Sequence, residues 1–334
     1  MPLITVSELT KEYVRPKRVE GRFGALRTLV TRQRERTLAV DHIDFTIEAG
    51  EIVGCLGPNG AGKSTTIKLL TGVLWPTSGT VEFDGPDGPA VPWRDRRRIA
   101  RRIGVVFGQR SQLWWDLPLI ESFRLVAALY DVPSRRYASN LARLTETLDM
   151  GPFLSTPVRQ LSLGQRMRGD LAAALLYDPP VLYLDEPTVG LDVLAKETVR
   201  GFVEEANRGG RTTVLLTTHD LADVERLCKR ILLIDHGRVL YDGPVDGLVA
   251  HYAPYQDVLV RLDGDQPAGE RWTLGGFDGD RESDGRWRFR VRRDEPIHRL
   301  LAAAGDGRQL RDLSVVESNL ESVVRELYRE RRDA

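Results

Sequence analysis

The sequence predicts an α/β fold built around a parallel sheet, and three observations carry that prediction. Short apolar, β-rich runs bounded by Gly alternate with longer helical patterns between about residues 50 and 245. A glycine-rich turn, GPNGAGKST from Gly57 to Thr65, joins one such run to a helical stretch. A second run, VLYLDEP from Val181 to Pro187, ends in two adjacent carboxylates, at the carboxyl edge where parallel sheets gather their functional groups.

In chain order, Thr5 to Ser7, Ile43 to Ile47 and Thr80 to Phe83 read as short strands of a separate antiparallel layer. Ile52 to Leu56, Ile103 to Phe107, Val181 to Leu184, Val214 to Thr218 and Ile231 to Ile234 read as buried strands of the parallel sheet. From Leu119 to Asp149 the pattern is helical, with only Pro133 interrupting it, so a helical subdomain is expected over about residues 112–165. This first domain spans residues 1–245. After Tyr241, the punctuation DGP at Asp242 to Pro244 predicts a linker into a small accessory α/β domain over residues 250–334. There Trp287, Phe289 and Val291 alternate with Arg288, Arg290 and Arg292, the period of a strand with one face buried. A closing helix is predicted from the capping-box spacing of Ser318 and Glu321 and the stripe Leu320, Val323, Val324, Leu327 and Tyr328.

Composition narrows the function. The 334 residues hold 48 Lys+Arg and 48 Asp+Glu, a balance that argues against wholesale nucleic-acid binding but not against local basic patches. Cys55 and Cys228 are the only cysteines, too few for a disulfide framework. The amino-terminal MPLITVSELTKEY lacks the apolar region of a secretory signal, so a reducing cytoplasm is expected. No run approaches the roughly 18 apolar residues of a membrane span, so any spans would come from another chain.

The turn from Gly57 to Ser64 satisfies G-x-x-x-x-G-K-[ST] in the context that motif needs, after a strand and opening a helix. Gly57, Gly60 and Gly62 let the backbone curl so that successive N–H groups face inward as an anion nest. Lys63 then reaches β- and γ-phosphate oxygens and Ser64 offers its hydroxyl to Mg²⁺. Of the two carboxylates, Asp185 is the candidate metal partner and Glu186 the candidate to polarise an attacking water. Upstream, LSLGQ from Leu161 to Gln165 precedes a helical run, with Ser162 and Gln165 at capping-box spacing and Gly164 leaving the first turn open to an anion.

With these motifs in order, residues 3 to 245 resemble the nucleotide-binding subunits of ABC transporters. Gly57 to Ser64 matches the Walker A loop, with Asn59 inside it and Thr65 closing it. Leu161 to Gln165 matches the signature, Asp185 and Glu186 match Walker B, Leu191 and Asp192 the D-loop and His219 the switch histidine. Gln109 matches the Q-loop glutamine, a metal and catalytic position, with Gln112 as the alternative. Tyr13 looks like the aromatic that stacks on adenine. Leu163 departs from the family, which mostly has Gly there. The resemblance implies a P-loop ATPase using ATP and Mg²⁺. It further implies a dimer closing head to tail, homomeric by expectation, with Ser162, Gly164 and Gln165 completing the partner's site and closure driving a separate transmembrane permease.

The chain also adds to that plan. Arg15 to Arg36 holds eight basic and two acidic residues, a net of +6, with Phe23, Leu26, Leu29 and Val30 at helical spacing. Such a stretch suits an anionic membrane surface or an acidic permease surface. SQLWWDLP, Ser111 to Pro118, places Trp114 and Trp115 side by side. With the carboxyl-terminal domain, these features resemble the type-2 exporter branch similar to drug and viologen exporter subunits, which implies outward transport and peripheral attachment at the cytoplasmic face of the membrane. A soluble ABC ATPase acting on nucleic acid or ribosomes is the alternative; such proteins usually carry two cassettes, long coiled coils or zinc motifs.

Overall fold

The computed structural model describes residues 2–16, 34–108, 110–252, 255–263, 271–293, 295–305, 309–317, 320–321 and 323–324. The chain forms two compact units, Met1–Asp242 and Gly243–Ala334.

In the first unit, β1 (Ile4–Pro16) lies between β2 (Arg34–Ile47) and β4 (Ser78–Phe83) in an antiparallel sheet. A six-stranded sheet follows the order β5 (Ile103–Phe107), β6 (Val181–Asp185), β7 (Thr213–Thr218), β3 (Ile52–Leu56), β8 (Arg230–Asp235), β9 (Arg238–Pro244). The pairs among β5, β6, β7, β3 and β8 are parallel. Such pairs need crossovers, and helices supply them. Along the chain these helices are α1 (Lys63–Leu70), α2 (Arg96–Ala100), α3 (Leu119–Leu129), α4 (Ser134–Thr147), α5 (Leu163–Leu175), α6 (Val193–Asn207) and α7 (Leu221–Leu227). Ile4, Leu9, Ile43 and Phe83 of the antiparallel sheet share one buried cluster with Ile67 and Leu70 of α1 and with Val53, Tyr183 and Leu215 of the parallel sheet. That cluster fixes α1 between the two sheets and sets its amino end at the carboxyl edge of β3.

The second unit holds α8 (Val245–Tyr252) and an antiparallel sheet ordered β11 (Arg271–Leu274), β12 (Phe277–Arg281), β13 (Trp287–Arg292), β10 (Tyr255–Asp263), β14 (Gln309–Glu317), with α9 (His298–Gly305). Its core joins Val258, Val260, Trp287, Phe289, Val291 and Leu300. The alternation along β13 is realised: Trp287, Phe289 and Val291 are buried and the intervening arginines exposed. Leu320, Val323 and Val324 are buried, whereas Ser318, Leu327 and Tyr328 lie outside the described residues.

Two expectations need correction. The punctuation at Asp242 to Pro244 is where the chain divides into its two units, as expected, but it forms the end of β9, continued directly by α8, rather than a separate linker. Pro244 is compatible with that place because β9 is an edge strand and Pro is its last residue. The first two antiparallel strands, expected at Thr5 to Ser7 and Ile43 to Ile47, extend to 13 and 14 residues. Bulges near Leu9 and Lys11 let β1 and β2 continue pairing into the basic stretch, with Val14 opposite Arg36 and Arg15 opposite Glu35. Residues 17–33, with Phe23, Leu26, Leu29 and Val30, lie outside the described residues. Among the described residues, no helix is long and apolar enough to cross a membrane.

Candidate functional site

The strand order brings the ends of β6, β7 and β3 side by side, with Asp185 in register with Thr217 and Leu56 with Thr218. The turn after β3 therefore sits beside the carboxylates that end β6. Glycine is required in that turn by close approach. A Cβ on Gly57 would stand 2.3 Å from the Ile234 carbonyl oxygen, and one on Gly62, at φ 111°, 2.3 Å from the Ala39 carbonyl oxygen. The turn opens a cavity of about 640 Å³ lined by Asn59, Gly60, Gly62, Lys63, Ser64 and Thr65 on one side and by Phe107, Gly108, Asp185, Glu186 and His219 on the other. The first turn of α1, Lys63 to Thr65, lines this space, and the amino end of a helix favours an anion.

Within the cavity, Lys63 is 5% exposed and its Nζ donates to the carbonyl oxygens of Gly57 at 2.6 Å and Pro58 at 3.1 Å. The same Nζ is 4.0 Å from Glu186 Oε1, and His219 Nδ1 is 3.4 Å from that oxygen. Ser64 Oγ donates to Asp185 Oδ1 at 2.9 Å. A hydroxyl beside a carboxylate, both hard oxygen donors, fits Mg²⁺, which takes one or two protein oxygens and completes its shell with phosphate and water. Among the described residues there is no group of three His, Cys, Asp or Glu side chains that could hold a metal ion.

Glu186 adopts φ 54°, a strained conformation for a residue with a Cβ. It is held there by its N–H, which donates to the Thr217 carbonyl oxygen at 2.9 Å. Thr217, wholly buried, also donates its hydroxyl to Asp185 Oδ1 at 2.6 Å. Sequence reasoning missed Thr217, because a β-branched hydroxyl in the run TVLLTT reads only as strand; its place two residues before His219 was the available signal. It also missed Asp223. This carboxylate is fully buried, accepts from Thr188 and Thr218, and is bonded to Arg200 at 2.6 and 2.7 Å. Thr188 follows Glu186 by two residues and Thr218 precedes His219, so Asp223 ties together the two loops that present them.

The remaining predicted residues lie elsewhere. Ser162, Gly164 and Gln165 open α5 and are not among the described residues lining the cavity. There the capping box forms in full: Ser162 Oγ accepts from the Gln165 N–H at 3.2 Å, and Gln165 Oε1 accepts from the Ser162 N–H at 2.9 Å. Asp192 caps α6 through the Ala195 N–H at 2.8 Å, and Leu191 is nearly buried. Tyr13 lies on β1, half-buried under Lys11 Nζ at 5.5 Å from its ring, and does not line the cavity; Ala39 and Val73 do. The pairing of Tyr13 with Thr37 holds it in the β1–β2 ladder. Gln109 lies outside the described residues. The alternative, Gln112, turns away and donates to the Asp170 carbonyl oxygen at 3.0 Å.

Residues 40–189 match the family model described as ABC transporter. The Nod factor export ATP-binding protein I of Ralstonia nicotianae is 33% identical over 306 residues, covering 90% of this chain and 92% of that protein. The daunorubicin resistance ATP-binding protein DrrA3 of Streptomyces coeruleorubidus is 38% identical over 228 residues, 67% of this chain and 69% of that protein. Among solved structures, an ATP-binding subunit of an ABC transporter superposes with a TM-score of 0.62 at 28% identity, over 75% of this chain and 93% of the other.

Proposed function

Because the chain belongs to the ATP-binding subunits of ABC transporters and is an ATPase of that family, we propose that it powers export through a separate transmembrane permease, as one of two cassettes that close around ATP. Outward transport is favoured by the likeness to proteins named for drug resistance and for Nod factor export. The observation that carries the paired reading is the division of the site. Lys63, Ser64, Asp185, Glu186 and His219 share one cavity, while Ser162 and Leu163, exposed at the start of α5, form a face outside its lining. A second copy offers the simplest use for that face.

In this reading Lys63 and the N–H groups of the turn hold the β- and γ-phosphates of ATP. Ser64 and Asp185 would hold Mg²⁺, with Gln109 added by resemblance, and the bound cation would supply neutralisation of developing charge on the phosphate oxygens. Glu186 accepts a proton from water as its oxygen bonds to the γ-phosphorus and the bond to the ADP oxygen breaks, giving ADP and phosphate. His219, through its contact with the Glu186 carboxylate, holds that side chain at the γ-phosphate end. Tyr13 remains the proposed adenine platform, carried over from the resemblance.

The test mixes a Lys63→Ala chain with a Ser162→Arg chain. Each homodimer is expected to be inactive, while the mixture recovers part of the turnover, since one of its two sites takes both intact halves. Normal hydrolysis by the Ser162→Arg chain alone would refute the shared site. For the permease, capture from membranes followed by mass identification is expected to return multi-span chains. The stretch 15–36 is proposed to strengthen that attachment: replacing residues 17–33 by a Gly-Ser linker should leave ATPase intact and reduce membrane recovery as salt rises. The unit from residue 250 is proposed to stabilise the dimer or regulate it, so its removal should weaken association while nucleotide contacts persist.

A further inference from the structure

One buried carboxylate has no part in the chemistry above, and one sequence feature, the run Ser111 to Pro118, has no role in it either. The two meet. Asp170 lies in α5, about two turns beyond Ser162, and is 5% exposed. Its Oδ1 accepts the Ser111 hydroxyl at 3.0 Å and the Gln112 N–H at 3.0 Å, while Gln112 Nε2 donates to the Asp170 carbonyl oxygen at 3.0 Å. Burial pushes the carboxyl up to about 6, so an ionisable side chain is kept here at a cost that a plain packing position would not carry.

The same stretch is fastened at further points. Ser111 Oγ accepts the Leu113 N–H, and the Trp114 N–H donates to the hydroxyl of Ser122, a buried residue of α3. Arg166, one turn before Asp170, lies over the Trp115 ring at 5.0 Å, and the Trp115 carbonyl oxygen accepts the Arg159 N–H at 3.0 Å. At Gly169 the helix comes so near that a Cβ would stand 2.8 Å from Leu119 Cδ1 and 3.0 Å from Leu113 Cδ1. On its other side the stretch continues directly from Phe107, Gly108 and Arg110, which line the nucleotide cavity.

We propose that Asp170 is a positioning residue for ATP turnover: by anchoring Ser111 and Gln112 it joins the loop edging the nucleotide cavity to the helix that bears Ser162, so that the two are set as one piece. The proposal rests on the reading in which Ser162 serves a bound nucleotide. Only acceptance by the side-chain oxygen is required, since both donors meet Oδ1.

The test compares purified Asp170→Asn and Asp170→Val chains, with turnover measured against ATP concentration. An amide oxygen accepts the same two bonds, so Asp170→Asn should stay within about twofold of wild type, whereas Asp170→Val should lose about tenfold in kcat with KM for ATP within about twofold. Wild-type kcat in Asp170→Val, an equal loss in Asp170→Asn, or a loss carried by KM alone would each overturn the proposal. If Asp170→Val does not fold, Ser111→Ala removes one of the two donors and leaves the Gln112 N–H on Asp170 Oδ1. It should lower kcat about threefold at unchanged KM, and wild-type kcat there would overturn the proposal too. Ser162→Arg, run alongside, separates the two claims: normal turnover in that chain sinks the shared-site reading, whatever the Asp170 pair does.

Discussion

The two units use charged side chains in opposite ways. In the first, carboxylates are drawn into the interior and paired there: Asp223 and Asp170 are almost inaccessible, and Asp185 is locked between two hydroxyls. In the second, β13 sends Trp287, Phe289 and Val291 inward and leaves Arg288, Arg290 and Arg292 in water. Burying a charge is expensive unless it is hydrogen-bonded and used. The contrast accords with the reading proposed above, in which the first unit carries the chemistry and the second supports it, and it can be broken by substitutions of graded severity.

The largest effect belongs to Glu186. Glu186→Gln keeps size and removes the basic oxygen, so turnover should fall by about 10²- to 10⁴-fold while ATP binding persists. Rate and calorimetric binding on one preparation check this. Near wild-type turnover would move the base elsewhere and dissolve the contrast at its centre.

Next comes the tie between the two loops. Asp223→Ala leaves the Arg200 guanidinium, 12% exposed at its side chain, without its buried partner. Breaking such a pair costs about 3–5 kcal/mol. Denaturant unfolding should show that loss in the first transition, and kcat should drop with it because Thr188 and Thr218 lose their common acceptor.

Much of this architecture was legible in the sequence. The strands Ile52–Leu56 and Ile103–Phe107 coincide with apolar runs closed by glycine, and Lys63, Ser64 and Asp185 were identified by motif, because phosphate chemistry demands fixed residue types at fixed spacing. What was hidden depends on pairing between distant segments. Thr217 matters through its register with Asp185, 32 residues upstream. Asp223 resembles any polar residue of a short helix, and the extension of β1 to Pro16 depends on bulges that no periodicity displays. Asp170 left a faint trace, as a lone acid beside the apolar run Leu171 to Leu176.

That acid gives a pH-dependent prediction. Its carboxyl titrates near 6 in the folded chain against an ordinary value of 3.8, because burial disfavours the charged form more than Ser111, Gln112 and nearby Arg166 favour it. The folded state thus holds the proton more tightly than the unfolded one. The wild type loses stability as pH rises from about 4 to about 6, and the deficit is complete above that. Asp170→Asn does not titrate. It should be more stable than wild type at pH 7.5 by up to about 3 kcal/mol, with the advantage shrinking towards pH 4. Thermal or denaturant melts across that range check the sign, and a constant difference would remove the titration from the account.

The smallest effect is expected in the second unit, and its smallness is the point. Arg288 Nε lies 2.9 Å from Glu282 and 3.8 Å from Asp257, yet the Arg288 side chain is 49% exposed. Water solvates all three groups with or without the contacts, and ordering a long side chain offsets part of the Coulomb gain. Arg288→Ala should therefore change stability by no more than about 1 kcal/mol, and raised salt should narrow even that. The sheet keeps its register because Trp287 and Phe289, on the opposite face, are fully buried in the core with Val258 and Val260. A loss comparable to that of Asp223→Ala would mean that the arginines of β13 do more than face solvent, and the division between a chemical unit and a supporting one would have to be redrawn around them.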